Sequence, residues 1–131
     1  MSVQTRIYVQ MTAASLRRLR DSGELQPAPF TAYAVTTDLR RGNPSADDEE
    51  LEFLAFTDAT AAGDAPVITA ADVDADLVTD LLDDGAAVSA VRIASPVSRR
   101  QVASFHVVDL DGPDYSWYDA TELDVVIDAL G

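Results

Sequence analysis

Apolar positions along the chain follow two different periods. Six short stretches show either an alternation of apolar and polar residues or a brief apolar run, and both patterns predict strands. These stretches are 6–11, 30–36, 65–73, 87–95, 101–110 and 115–118. Four longer stretches repeat apolar residues at spacings of three and four, which predicts amphipathic helices. These are 12–23, 45–63, 74–85 and 119–131.

Each predicted helix begins with a side chain that can accept a hydrogen bond from a backbone N–H of the first turn. The four residues are Thr12, Ser45, Asp74 and Asp119. Glu122 follows Asp119 at the spacing of a capping box, and Asp48 follows Ser45 at the same spacing. Gly23 and Gly85 are suitable helix stops, because glycine adopts the left-handed conformation easily.

The order of these elements predicts the fold class. Strands that alternate with helices favour an α/β or α+β fold of two or three layers. We expect a mixed sheet of about five or six strands with about four helices. Short turns at 96–100 and 111–114 predict an antiparallel C-terminal half. A length of 131 residues fits a single domain spanning 1–131.

Charge and composition exclude several classes of function. The chain has 9 basic and 23 acidic residues, a net charge of −14, which disfavours nucleic acid and anionic membranes as partners. It has no cysteine and one histidine, so we expect no thiol chemistry and no metal site, and no cofactor motif is present. Without an apolar run of about 20 residues or a signal-peptide pattern, a cytoplasmic location is expected.

The single histidine and the single tryptophan lie close together in the sequence, in SFHVVDLDGPDYSWYD. Alternation along a strand places His106 on the face of Val102 and Ser104 and opposite Asp109, which favours a core or sheet position over a His–Asp pair. Trp117 and Tyr115 share a face and are candidates for the wall of a ligand pocket. Arg92, in the fourth predicted strand, is a further candidate ligand-binding residue.

Several motifs together resemble one family. These are RIYVQMTAASLRRLRDSGELQPAPFTAYAVTTDLR, DDEELEFLAFTDA, TAADVDADLV, AVRIASPVSRRQVASFHVVD and YSWYD. They are similar to an uncharacterised family of small acidic actinobacterial proteins that open with R(I/V)YVP(M/L)T and continue through a DEEELEYAA helix. Gln10 and Thr37 replace prolines that are common there, and the segment between Asp109 and Trp117 is shorter. The resemblance implies no activity, because the family has none assigned.

The layout of the first two strands and helices also resembles ADP-ribosyltransferase-like folds. That resemblance implies an Arg or His on the first strand and a Ser or Thr on the next, for which Arg6 and Thr36 would be the counterparts. The late catalytic glutamate of those enzymes has no clear counterpart. Adding Tyr8 and His106 gives four candidate catalytic residues for a transferase-like enzyme.

Three hypotheses follow. The leading one is a non-enzymatic, cytoplasmic binding or regulatory domain that contacts a protein or a small ligand. The alternatives are the transferase-like enzyme and an acidic mimic that binds a basic protein. A deep pocket in which Arg6, Tyr8 and His106 converge favours a ligand or catalytic site, whereas carboxylates arrayed on one surface favour mimicry.

Overall fold

A single antiparallel sheet organises the protein. The computed structural model describes residues 3–81, 86–108 and 115–130. Within these ranges the strands are β1 (Gln4–Met11), β2 (Phe30–Ala34), β3 (Val67–Asp74), β4 (Val78–Asp80), β5 (Ala90–Ile93), β6 (Val102–Val108) and β7 (Tyr115–Asp119). The α-helices are α1 (Ala13–Ser22), α2 (Thr37–Gly42), α3 (Asp48–Ala61) and α4 (Leu123–Ala129). None of the described helices is both long enough and apolar enough to cross a membrane.

The strand order is β4-β5-β2-β1-β3-β6-β7. Every hydrogen-bonded pair among the described strands is antiparallel. The α+β class and the antiparallel C-terminal half are therefore confirmed. The expectation of a mixed sheet is wrong, and the described sheet has seven strands where five or six were expected.

The additional strand comes from the segment predicted as a helix at 74–85. Asp74 does accept a hydrogen bond from the Asp76 N–H at 3.1 Å, but it caps only the 3-10 turn Ala75–Leu77. The chain then continues into β4, which pairs with β5. The β-branched residues Val78 and Thr79 favour a strand, and pairing satisfies backbone groups of β5 that would otherwise lie at an open edge. Residues 82–85, with the predicted stop at Gly85, lie outside the described residues.

Two helix starts also differ from expectation. The Thr36 hydroxyl accepts a hydrogen bond from the Leu39 N–H at 3.0 Å and so begins α2, a helix that was not predicted. Helix α3 is capped by Asp47, which accepts from the Glu50 N–H at 2.8 Å, and not by Ser45. Because the helix begins after Asp47, the acidic residues Asp48, Glu49 and Glu50 lie in its first turn, near the positive end of the helix dipole, where negative charge is stabilising.

The other predicted helix ends are confirmed. Thr12 caps α1 through the Ser15 N–H, and Gly23 ends it with a φ of 78°. The Asp119–Glu122 capping box forms around the 3-10 turn that leads into α4.

The sheet carries helices on both faces, which gives three layers. In β1, Ile7, Val9 and Met11 are buried against one face together with Leu16 and Leu19 of α1 and residues of α4. The opposite cluster joins β1 and β3 to α2 and α3; its buried members are Tyr8, Leu39, Leu51, Ala55, Ala59, Ile68 and Ala70. The faces are called the α1/α4 face and the α3 face below.

A β-bulge modifies the alternation in β6. The register between β3 and β6 shifts at Ala70/Ala71, so that Ala70 pairs with Ser104 and Ala71 pairs with Val102. Val102 consequently belongs to the core of the α1/α4 face, together with Phe105. The prediction that Val102 shares a face with Ser104 and His106 is therefore wrong, because the bulge adds a residue between them.

Candidate functional site

Strand pairing brings two rows of side chains together on the α3 face. One row runs from Tyr8 through Ala70 to Ser104. The adjacent row runs through His106 to Trp117. Residues directly opposite one another on antiparallel strands have Cβ atoms about 4.5–5.5 Å apart, so the rows form a continuous patch.

Helix α3 is anchored above this patch at its C-terminal half. The Gln10 side-chain amide donates to the Ala59 carbonyl at 2.8 Å, and the Ser89 hydroxyl donates to the Asp58 carboxylate at 2.6 Å. The N-terminal half of the helix carries Glu49, Glu52, Phe53 and Phe56 at spacings of three and four, which place them on one helical face.

A cavity of about 370 Å³ lies between the N-terminal half of α3 and the sheet. Its sheet side is formed by Arg6, Tyr8, Ala70, Ser104, His106 and Trp117, and its helix side by Glu49, Glu52, Phe53 and Phe56. Ala70 lies between Tyr8 and Ser104 in its row, and its single methyl group leaves the space that a larger side chain would fill.

Aromatic rings form much of the wall. The Phe56 ring meets Tyr8 edge-to-face with centroids 5.7 Å apart, and meets His106 with centroids 5.0 Å apart. Phe53 and Trp117 are 66% and 62% exposed, so both present apolar surface to solvent at the mouth. Exposed large aromatics beside a cavity are typical of binding surfaces.

Arg6 is held in place by Asp72 on the neighbouring strand. Its Nε and Nη2 atoms donate to the two carboxylate oxygens at 3.0 and 2.9 Å. This bidentate hydrogen bonding raises the pKa of Arg6. The pair fixes the guanidinium and offsets part of its charge.

Tyr8 is protonated at neutral pH. Burial, followed by the negative charge of Glu52, raises the pKa of Tyr8 to about 12, and the positive charge of Arg6 opposes this only in part. The phenol is therefore available as a hydrogen-bond donor in the cavity wall.

His106 is neutral at the same pH. Burial is the main cause that lowers the pKa of His106, and the positive charge of Arg6 contributes. Its Nε2 atom lies 3.0 Å from the Ser104 hydroxyl, within hydrogen-bond distance. The ring thus adds a neutral polar surface next to Phe56.

Of the residues singled out from the sequence, Arg6, Tyr8, His106 and Trp117 line this cavity. Thr36 does not: its hydroxyl donates to the Val88 carbonyl at 2.6 Å and caps α2, and the residue is 5% exposed. Arg92 is exposed on β5, beside Thr31 and toward the other end of the sheet. Tyr115 begins β7, but its side chain lies outside the described part of the structure.

Sequence reasoning missed the partners of these four residues, except that it placed Ser104 on the face of His106. The spacing of Ser104 and His106 is a usable signal, because residues two apart on a strand share a face. The spacing of Glu52, Phe53 and Phe56 shows that they share a helical face, but not that this face covers β1, β3 and β6.

Comparison with known protein families agrees with the family resemblance of the sequence motifs. No curated protein and no solved structure matches the chain. A model of a family of unknown function, DUF6912, matches residues 5–114. The match covers every described lining residue of the cavity except Trp117. It confirms the resemblance to an uncharacterised family, and the chain therefore belongs to the family of unknown function DUF6912.

Proposed function

We propose that this chain is a binding domain that holds a small, ring-bearing organic ligand in the cavity between α3 and the sheet. One observation carries the proposal: Arg6, Tyr8 and His106 converge with aromatic side chains on a single cavity of about 370 Å³. A concave, largely apolar pocket with a few placed polar groups is typical of small-molecule sites, and this volume is near the lower end of their range.

The polar groups in the wall are suited to orienting a ligand. The Tyr8 hydroxyl keeps its proton at neutral pH, and the Arg6 guanidinium is fixed by Asp72. Because these groups are already held by the sheet, binding does not require them to be ordered first, and preorganisation of this kind favours affinity.

The same geometry gives less support to the other hypotheses. The transferase-like arrangement needs Thr36 at the site, and Thr36 is a buried helix cap. A mimic of nucleic-acid phosphate needs carboxylates arrayed on its surface and does not need an aromatic cavity. The cavity therefore does not support the mimicry hypothesis.

Binding is tested with three aromatic probes of similar size: benzyl alcohol, benzylammonium and benzoate. Trp117 is the chain's only tryptophan and lies at the cavity mouth, so its fluorescence reports occupancy. Saturation-transfer NMR observes the probes independently. We expect at least one probe to bind the wild-type protein and to lose binding in Ala70→Leu, because the leucine side chain occupies the cavity.

Ala94→Leu is the matched control, since it makes the same change at an exposed position outside the cavity. It should leave binding unchanged. The proposal is overturned if no probe binds the wild-type protein, or if folded Ala70→Leu binds as tightly as wild type.

One contact supports an enzymatic function as a second candidate. The Ser104 hydroxyl lies 3.0 Å from Nε2 of a neutral His106, the arrangement from which a histidine takes a serine proton. A fluorophosphonate tests it: Ser104 Oγ attacks phosphorus, fluoride leaves and His106 accepts the proton. Labelling of Ser104, detected by mass spectrometry and absent in His106→Gln, would support this function, and an unlabelled Ser104 would contradict it.

A further inference from the structure

We infer that the ligand of this cavity is an organic cation, an ammonium group carried on an apolar body. The inference rests on the proposed function and adds the charge of the ligand to it. It follows from how charges and aromatic faces are distributed around the cavity.

The carboxylates of the cavity outnumber its cations. Glu49 and Glu52 line the helix side, and Asp72 lies beside the sheet side. Arg6 is the one cationic side chain among the described lining residues, and both oxygens of Asp72 already accept from it. The charge of Arg6 is therefore partly offset, whereas Glu49 and Glu52 face the cavity without a described ion pair.

Aromatic side chains line the same cavity as these carboxylates. Phe53 is on α3 next to Glu52 and one turn from Glu49, and Trp117 lies across the mouth on β7. Cations are attracted to the faces of tryptophan, tyrosine and phenylalanine, and tryptophan binds them best. A carboxylate next to an aromatic face thus provides two attractive contributions for an ammonium group, and a carboxylate ligand would be repelled at the same place.

The interior of the cavity is compatible with such a ligand. The negative charge of Glu52 extends to the phenol, since it helps to raise the pKa of Tyr8. His106 is neutral and adds no repulsion. The overall charge of −14 attracts cations from solution and increases their rate of association.

The three probes named above differ mainly in charge, so their relative affinities test the inference. We expect benzylammonium to bind about tenfold more tightly than benzyl alcohol, from one cation–π contact and the nearby carboxylates, and benzoate to bind most weakly. In Glu49→Gln/Glu52→Gln this preference should largely disappear, because benzylammonium should lose affinity by a larger factor than benzyl alcohol.

Glu24→Gln/Glu50→Gln is the matched control. It removes the same number of charges at exposed positions that do not line the cavity, so it separates the local effect from the overall charge. It should retain the preference for benzylammonium. Circular dichroism confirms that α3 is intact in both proteins.

Phe53→Leu gives a second measurement that does not alter charge. It keeps an apolar side chain but removes the π face, and should weaken benzylammonium by about twofold to fivefold more than it weakens benzyl alcohol. Equal affinities for benzylammonium and benzyl alcohol in the wild-type protein, or tightest binding of benzoate, would overturn the inference and leave the proposed function standing. If none of the three probes binds, the proposed function itself is contradicted.

Discussion

The two faces of the sheet are built from alternate residues of the same strands, yet one is closed and the other is open. On the α1/α4 face, α4 packs over β6 and β7 and seals an aliphatic core around Phe105. On the α3 face, α3 packs over β1, β2 and β3. The cavity extends from there to His106 on β6 and Trp117 on β7. The candidate site therefore lies where helix coverage ends, and we expect the closed face to contribute more to stability than the open face.

The largest expected difference between the faces comes from removing one aromatic ring on each. Phe105→Ala should lower the free energy of unfolding by about 3–5 kcal/mol, because Phe105 is completely buried and its loss leaves a void. Phe56→Ala should cost less than half as much, because Phe56 is only partly buried and already borders a cavity. Urea denaturation measures both. Equal costs would contradict the contrast between a closed and an open face.

Adding volume gives a second comparison at two adjacent residues. Ala70 and Ala71 are both buried, but Ala70 lines the cavity and Ala71 belongs to the core of the α1/α4 face. Ala71→Leu should therefore overpack the core at a cost of about 1–3 kcal/mol.

Ala70→Leu should cost clearly less, because its side chain extends into existing space. Thermal unfolding of the two proteins beside wild type measures the difference. A more damaging change at Ala70 would show that the cavity does not accommodate the added atoms.

A smaller effect concerns a polar atom on the closed face. Thr69 is completely buried, and its hydroxyl is the one buried side-chain polar atom without a hydrogen-bond partner among the described residues. Thr69→Val replaces the hydroxyl with a methyl group of similar size and should stabilise the protein by about 1 kcal/mol. Thr31→Val, at an exposed position on β2, is the control and should change stability by less than about 0.5 kcal/mol. A destabilised Thr69→Val would indicate that the hydroxyl does have a partner.

The smallest expected effect is the pH dependence of stability that arises from His106, on the open face. The pKa of His106 is lower in the folded protein than its ordinary value of 6.5, so the unfolded state binds more protons as the pH falls below that value. The stability contributed by the neutral ring is present above pH 6.5 and is lost as the pH falls through the folded pKa. Since the chain has one histidine, His106→Gln should remove this component from a plot of unfolding free energy against pH. If His106→Gln leaves the plot unchanged, the pH dependence of the unfolding free energy in this range comes from carboxylates and the prediction is wrong.

Features that depend on a few neighbouring residues were predictable from the sequence. The caps at Thr12 and Asp119 are hydrogen bonds within three residues, so residue types alone indicated them. His106 and Trp117 were identified as the single histidine and the single tryptophan of the chain, and Arg6 through the resemblance in layout to ADP-ribosyltransferase-like folds.

Features set by distant partners were not predictable. Val78–Asp80 becomes a strand because β5 lies beside it, and the bulge that turns Val102 to the opposite face depends on the register between β3 and β6. Phe56 and Glu52 join the site only because of where α3 lies on the sheet. Periodicity shows which residues share a face, but not which face they meet.

The position of β7 at the edge of the sheet has a consequence for how binding specificity can change. Trp117 projects toward the cavity mouth, whereas Tyr118, the next residue, packs against the core of the α1/α4 face. One residue thus holds the strand in place while its neighbour lines the cavity. We therefore expect that substitutions at position 117 can change the ligand preference proposed for this cavity while the packing of Tyr118 leaves the interior intact, so this edge strand is a suitable place to engineer recognition.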